Sequence, residues 1–319
     1  MCQSTISTGV SDPSFEKLRH RHYNADVTEI KKLHDELMIL RVRHDSSRLT
    51  FEAGQYTVLG LGRWEKSIDD PRLPTSEQRQ KLIKRAYSIS CRLIDDRGRL
   101  TQADATPELE FYITLVRQTK KPPGLTPRLF NLASGDRLFM STRSFGLYTL
   151  REIDPDDQVI FAGTGTGEAP HNAMIAALLG HRHRGPIACL TCVRYRKDLG
   201  YLKAHRLLEQ RFSNYRYVSL TTREPENLDR TNPGFIGKRY LQDVFEADDF
   251  FALTNCRLAP EGTHVFLCGG PDMIGVSRHA SDSLIRKPQT RGMVQVLEKL
   301  GFRVDQPKVS GNIHFEKYW

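Results

Sequence analysis

A glycine-rich turn between an apolar strand and an apolar helix constrains this chain more than any other feature. The segment DQVIFAG (157–163) is typical of a short buried strand, HNAMIAALLG (171–180) is typical of a helix, and GTGTGEAP (163–170) joins them. Glycines at such a turn let the backbone approach a phosphate, and the helix N-terminus offers free N–H groups. The spacing matches neither GxGxxG nor a Walker loop. The turn predicts a phosphate site at the first strand of an α/β sheet, with simple packing as the alternative.

The rest of the second half alternates between strands and helices. PIACLTCVRY (186–195), YRYVSLTTRE (215–224) and HVFLCGG (264–270) have the character of strands. LGYLKAHRLLEQRF (199–212) and a stretch from about residue 271 have the character of helices. This alternation predicts a doubly wound parallel α/β sheet, which we assign to residues 152–319.

The first half instead contains serial short strands separated by polar turns. Its strand-like segments are ELMILRVRH, LTFEAGQYTVLGL, RAYSISCRLI, LEFYITLVRQ and DRLFMSTRSFGLYTL. They predict an antiparallel barrel or sandwich over residues 36–151, which we assign as a β-barrel. Residues 1–35 are polar and charged with little periodicity, so we predict an N-terminal extension there.

Composition restricts the partners and the compartment. The net charge of +9 suits an acidic protein, a phosphorylated ligand or nucleic acid. No apolar run reaches the roughly 20 residues of a membrane span, and the first residues lack a secretory pattern. The six cysteines do not form a disulfide framework, so we expect a cytoplasmic protein. Cys189 and Cys192 are three apart on a strand and face opposite ways, which predicts core positions rather than a redox pair.

Five segments, in order, resemble the bacterial, FAD-containing branch of the ferredoxin–NADP(+) reductase family. RAYS (85–88) resembles its RxYS flavin motif, GTGTGEAP its pyridine-nucleotide loop, and CGGPDM (268–273) its CG-x-P-x-M motif. GLTPRLFNLASGD (124–136) is similar to its flavin-phosphate segment, and FEKYW (315–319) to its carboxyl terminus. The resemblance covers about residues 36–319. It implies that the barrel binds FAD and that the α/β domain binds NADP(H).

The resemblance also implies an FAD site. Its residues are Arg85, Ala86, Tyr87, Ser88, Thr126, Pro127, Arg128, Tyr318 and Trp319. Arg85 would bind FAD phosphate, Tyr87 would pack on the flavin, and Ser88 would hydrogen-bond near N5. Tyr318 would cover the flavin ring and move aside for nicotinamide, as a gate. The alternatives are ordinary strand positions for Tyr87 and Ser88, and a helix N-cap for Thr126.

The implied NADP site combines the glycine loop, the CG motif and several cations. Its residues are Gly163, Thr164, Gly165, Thr166, Gly167, Arg194, Arg223, Lys238, Arg239, Cys268 and Gly269. A 2′-phosphate requires cationic donors, and arginine supplies a bidentate fork. Arg194, Arg223 and Lys238 lie in segments that resemble the family's three cationic positions, with Arg239 kept open beside Lys238. A solvated surface charge is the alternative for each.

The implied chemistry is hydride transfer between NADP(H) and flavin N5, followed by one-electron steps to ferredoxin or flavodoxin. The catalytic candidates are Ser88, Cys268, Glu316 and Tyr318. Cys268 would lie beside the nicotinamide, and Glu316 would assist proton movement. The sequence lacks a C-x₄-C-x₂-C run, so we expect the acidic carrier to be a separate protein. We expect a monomer, with no metal and no nucleic acid.

Two residues depart from the family pattern. His171 follows the glycine loop where an aromatic is usual, and Glu168 replaces a small or apolar residue. An acid there suits the helix dipole but would repel a nearby pyrophosphate. The rival function is a general NAD(P)H flavin or ferric-chelate reductase, or a reductase that feeds an oxygenase. A non-enzymatic nucleic-acid binder is the remote alternative, suggested by charge alone.

Overall fold

The computed structural model describes residues 13–46, 49–69, 80–102, 107–117, 124–275, 291–306 and 309–317. These residues form two sheets, and three clusters of buried apolar residues pack against them, one of which includes residues of both sheets. The first sheet is antiparallel and six-stranded, and the second is parallel and five-stranded. Both parts of the predicted fold class are therefore confirmed. No helix in the described ranges is long and apolar enough to cross a membrane.

The antiparallel sheet has the order β4-β3-β6-β1-β2-β5. Its strands are β1 (Ala25–His34), β2 (Leu37–His44), β3 (Tyr56–Gly62), β4 (Leu82–Ser88), β5 (Glu108–Thr114) and β6 (Arg137–Met140). Helix α1 (Pro13–His22) precedes it, and the one-turn helix α2 (Thr126–Leu129) lies between β5 and β6. Buried Met38, Leu40, Trp64 and Phe111 belong to its core.

The prediction that residues 1–35 form an extension is wrong for β1. This strand pairs with β2 from Ala25 to His34 and with β6 at Ala25 and Asp26. Ala25 and Val27 are fully buried, whereas most of the strand's other residues are polar and partly exposed. One polar face was enough to hide the alternation in the sequence. The barrel sheet therefore begins no later than residue 25.

The parallel sheet has the order β11-β10-β7-β8-β9. Its strands are β7 (Gln158–Thr164), β8 (Ile187–Val193), β9 (Tyr215–Thr221), β10 (Thr263–Gly269) and β11 (Ile313–Lys317). Its helices are α3 (Glu168–Gly180), α4 (Leu202–Arg211), α5 (Pro225–Leu228), α6 (Leu241–Phe245), α7 (Phe250–Thr254), α8 (Pro271–Ile274) and α9 (Met293–Lys299). Cys189 and Cys192 are buried in different apolar clusters, so the prediction that both are core residues is confirmed.

Polar contacts join the two sheets on the side of β5. The Tyr112 hydroxyl donates to the carbonyl of Asp198 at 2.6 Å, and the Tyr201 hydroxyl donates to Glu110 Oε1 at 2.7 Å. The rings of Tyr112 and Tyr201 also meet edge to face, with centroids 5.1 Å apart. Directional bonds of this kind fix relative orientation better than apolar contact alone. They hold the cleft in which residues of both sheets meet.

Candidate functional site

The glycine loop turns sharply between β7 and α3. Gly165 has φ +56°, and a Cβ at this residue would meet no atom of the described residues within 4 Å. A Cβ on Gly167 would lie 2.1 Å from the carbonyl oxygen of Cys268. Gly165 therefore provides a left-handed turn with an open outer side, and Gly167 permits the loop to pack against β10.

The end of β10 completes this edge of the sheet. Gly163 and Cys268 are register partners on adjacent parallel strands. Gly269 has φ +150°, and a Cβ there would lie 2.1 Å from Thr164 Oγ1. The Gly270 N–H donates to the same oxygen at 3.3 Å. The predicted nucleotide loop and the predicted CG motif thus lie side by side at the carboxyl ends of the strands, where open α/β sheets bind ligands.

Three of the predicted catalytic residues meet at this edge. Cys268 on β10 is fully buried and is the register partner of Glu316 on β11. Ser88, the last residue of β4, donates from Oγ to Glu316 Oε2 at 3.4 Å. Residues from both sheets therefore converge at one point of the cleft. Tyr318 and Trp319, the other two predicted residues of this region, lie outside the described residues.

The pKa of the Glu316 carboxyl lies near neutral pH. Burial raises the pKa of its carboxyl to about 7, and the hydrogen bond from Ser88 opposes that rise. Both protonation states are then populated at physiological pH, which is what a group that takes up and releases protons requires.

The RAYS segment exposes Arg85 on the outside of β4 and buries Ser88 at its end. Arg85 and Ala86 are exposed, and Tyr87 is half-buried with its ring edge against Phe111. The Arg85 guanidinium donates to the carbonyl of Lys84 at 2.8 Å and has no carboxylate partner among the described residues. It remains available for an anion.

The residues expected to cradle a pyrophosphate are engaged with nearby backbone. Thr126 is not an N-cap, because Leu125 holds that position; its Oγ1 accepts from the Val116 N–H at 3.0 Å. Pro127 is buried, and buried Arg128 donates to the carbonyl of Gly124 at 3.3 Å. These contacts shape the segment, and the cradle role of the three residues stays a prediction.

The predicted 2′-phosphate cations fall into two groups. Arg194 and Arg223 follow adjacent strands, and the Arg223 N–H donates to the carbonyl of Arg194 at 2.9 Å. Both side chains are exposed, and like that of Lys238 they make no hydrogen bond or ion pair with another described residue. Arg239 instead pairs with Asp249 at 2.6 Å.

A cavity of about 630 Å³ lies beside these cations. It opens at the end of β9, and its lining includes Ser219, Thr221, Asn227 and Gly237. The Asn227 amide receives a hydrogen bond from Thr221 at 3.0 Å and donates to the carbonyl of Gly237 at 3.1 Å. Sequence reasoning missed this cavity because the lining comes from three separate segments with ordinary composition.

Glu168 turns away from the open side of the glycine loop. Its carboxylate is completely buried, and Oε1 accepts from Tyr217 Oη at 2.8 Å, His205 Nε2 at 3.1 Å and Thr191 Oγ1 at 3.3 Å. Three donors from β8, α4 and β9 thereby satisfy Oε1, whereas Oε2 has no hydrogen-bond partner among the described residues. The predicted repulsion between Glu168 and a bound pyrophosphate is weakened, because the carboxylate points into the domain interior.

His171 is likewise an interior residue. Burial lowers its pKa to about 3, so the imidazole is neutral at physiological pH. Its Nε2 lies 2.8 Å from the hydroxyl of Tyr148. A Cβ on Gly163 would lie 3.3 Å from the same ring, so the His171 imidazole packs against the carboxyl end of β7.

The fold and the site define a class of two-domain oxidoreductases in which a barrel precedes a nucleotide-binding α/β domain. Residues 161–279 match the family described as "Oxidoreductase NAD-binding domain". A solved structure of similar fold is the ferredoxin NADP+ reductase from Neisseria gonorrhoeae with bound FAD and NADP. It superposes with a TM-score of 0.67 at 16% identity, over 92% of this chain and 98% of that one.

Three curated relatives are named flavodoxin/ferredoxin–NADP reductase. The chain is 27% identical over 251 residues to a flavodoxin/ferredoxin–NADP reductase of Buchnera aphidicola subsp. Baizongia pistaciae, covering 78% of this chain and 86% of the relative. It is 26% identical over 300 residues to the enzyme of that name in subsp. Schizaphis graminum, covering 93% and 98%. The Escherichia coli K12 enzyme is 27% identical over 249 residues, covering 78% and 85%. The chain is therefore similar to ferredoxin–NADP(+) reductases over most of its length.

Proposed function

We propose that this chain is an FAD-dependent oxidoreductase that exchanges electrons between NADP(H) and ferredoxin or flavodoxin. The observation that carries the proposal is the convergence of Ser88, Cys268 and Glu316 beside the glycine loop. This convergence brings groups from the barrel and from the nucleotide sheet to one point, as hydride transfer between two bound cofactors requires.

The residues present fit FAD. Arg85 is exposed and free of carboxylates among the described residues, which suits a pyrophosphate. Tyr87 offers a partly exposed ring on the same strand, and the Ser88 hydroxyl lies at the cleft. The chemistry that bound flavin supplies is acceptance of a hydride and release of its electrons one at a time.

The chain's own side chains then position groups and manage the proton. Glu316, with a pKa near 7, holds or releases a proton at its Oε atoms, and Ser88 orients that carboxyl. The small side chain of Cys268 allows a planar ring to approach the end of β10.

The cations favour NADP(H) over NAD(H). Arg194, Arg223 and Lys238 are unpaired within the described ranges, so a 2′-phosphate would not have to displace a carboxylate from any of them. The NADP(H) assignment rests on these side chains and on the names of the curated relatives.

The electron carrier is proposed to be acidic. The relatives in Buchnera and Escherichia coli are named for flavodoxin and ferredoxin. The net charge of +9 would accelerate encounter with an acidic protein, in a salt-dependent manner. We place this reaction in the cytoplasm.

The test is NADPH-driven reduction of a purified bacterial flavodoxin or ferredoxin, followed through cytochrome c. The proposal expects saturable dependence on the carrier and a rate that falls as salt rises. Equal turnover with free flavin or a ferric chelate, without carrier saturation, would instead indicate a general reductase of the same fold. Failure of the purified protein to retain FAD would contradict the proposal outright.

A further inference from the structure

We propose that Arg196 is an additional cation for the adenosine 2′-phosphate, and that its ion pair with Glu226 sets how strongly the site prefers NADP(H) to NAD(H). The inference rests on the proposed function, because it assigns this cavity to the adenosine end of the nucleotide. Neither Arg196 nor Glu226 is among the NADP-site residues that the family resemblance implies.

The first observation is the charge of the cavity wall. Among the described residues that line the cavity of about 630 Å³, Glu226 is the only carboxylate. Each arginine in the cavity lining is paired with an acid, and the pairs are Arg196–Glu226, Arg206–Glu209 and Arg239–Asp249. Only in the first pair do both partners line the cavity. A ligand phosphate would therefore meet this pair directly.

The second observation is that the Arg196 side chain can change partner while its backbone stays fixed. The Arg196 N–H donates to the Glu224 carboxylate, which holds the turn at residues 196–198 against the segment after β9. The Arg196 side chain, by contrast, is 65% exposed. Glu226 is only 23% exposed, but the Arg196 end of the pair is open to solvent, so the guanidinium can turn from Glu226 to a phosphate without leaving water.

The third observation is the position of the pair relative to the unpaired cations. Arg196 lies two residues beyond Arg194, whose carbonyl accepts from the Arg223 N–H. The chain segments after β8 and β9 are thereby held together, so the Arg196–Glu226 pair lies on the same two segments as Arg194 and Arg223, which have no ion-pair partner among the described residues. A phosphate drawn to Arg194 and Arg223 comes within the field of Arg196 and Glu226.

The two members of the pair act in opposite directions. Glu226 repels a dianionic 2′-phosphate, whereas with a plain ribose its carboxylate has a hydroxyl that it can accept from. Arg196 attracts the phosphate but must leave Glu226 to do so. Preference for NADP(H) is therefore held below what the cations alone would give.

The test compares binding of 2′,5′-ADP with that of 5′-AMP to the FAD-loaded full chain by isothermal titration calorimetry. Glu226→Gln keeps shape and removes charge, and we expect it to tighten 2′,5′-ADP about 3–10-fold while changing 5′-AMP less than about 2-fold. Arg196→Ala should weaken 2′,5′-ADP by a similar factor. Its loss should be larger in the Glu226→Gln background, because Arg196 no longer has to leave a carboxylate there. The matched control is Glu261→Gln, an exposed acid outside the cavity lining.

Several outcomes would overturn the inference. Equal shifts of both fragments in Glu226→Gln, or a change no larger than that of Glu261→Gln, would show that Glu226 does not set the preference. Weaker 5′-AMP binding with unchanged 2′,5′-ADP binding in Glu226→Gln would make Glu226 a ribose ligand alone and not a restraint on the 2′-phosphate. Unchanged FAD absorbance and melting temperature in each variant exclude a folding artefact. The failure of the proposed function is distinct, since the unaltered protein would then bind neither fragment.

Discussion

Replacing Glu168 tests the buried network beneath the glycine loop. Glu168→Ala removes the acceptor of Tyr217, His205 and Thr191. His205 is fully buried and stacked on Tyr217 with ring centroids 4.0 Å apart, so water has no easy access to replace the carboxylate. Removing one partner of such a buried charged cluster costs about 3–5 kcal/mol. Glu168→Gln keeps one acceptor oxygen and should cost only about 1–2 kcal/mol.

The measurement is urea unfolding of the FAD-loaded protein, followed by circular dichroism with the slopes compared between variants. Glu261→Ala serves as the control, because it removes an exposed carboxylate from the same domain. Glu168 is also the first residue of α3, directly after Gly167, so Glu168→Ala should weaken 2′,5′-ADP binding as well. A loss of stability below about 1 kcal/mol for Glu168→Ala would refute the reasoning that its three donors depend on it.

Three further changes probe the loop, the proton and the phosphate. Gly167→Ala places a Cβ against the Cys268 carbonyl, and should abolish tight NADPH binding in fluorescence titration while FAD is retained; normal NADPH binding would disprove the close packing. The pKa of Glu316 is raised on folding, so its contribution to stability is full below the unfolded value near 4.5 and is lost as pH rises through about 7. Glu316→Gln should therefore flatten the pH dependence of both stability and flavin reduction between pH 5 and 8, and an unaltered profile would exclude Glu316 as the titrating group. Arg223→Ala should weaken NADPH binding about 10–100-fold and NADH binding little, whereas equal losses would remove Arg223 from the 2′-phosphate site.

The fold could be predicted from the sequence where a single hydrophobic pattern dominates a segment. β7 and β8 are mostly apolar because both faces of the parallel sheet are covered, so their apolar runs stand out in the sequence. β1 could not be recognised, because burial of Ala25 and Val27 is local and the remaining residues face outward. The sequence did not predict β11 as a strand, because its strand character depends on pairing with β10; its residues were singled out only because they resemble the family's carboxyl terminus.

The site was predictable where a motif fixes backbone geometry. The glycine loop and the CG motif require short side chains at positions where strands and loop nearly touch, and those positions are readable. The roles of Glu168 and Arg196 were not readable, because each depends on partners from distant segments. Glu168 was noted only as a departure, and its burial by His205 and Tyr217 arises from tertiary packing.

The most direct test of the central claim is anaerobic stopped-flow mixing of the FAD-loaded protein with NADPH and, separately, with NADH. The account predicts rapid loss of oxidised-flavin absorbance with NADPH and much slower or weaker loss with NADH, because the cations at Arg194, Arg223 and Lys238 serve the 2′-phosphate. Equal reduction by both nucleotides would contradict the NADP(H) assignment but keep the fold. No reduction by either would contradict the claim that Ser88, Cys268 and Glu316 form a working site for hydride transfer.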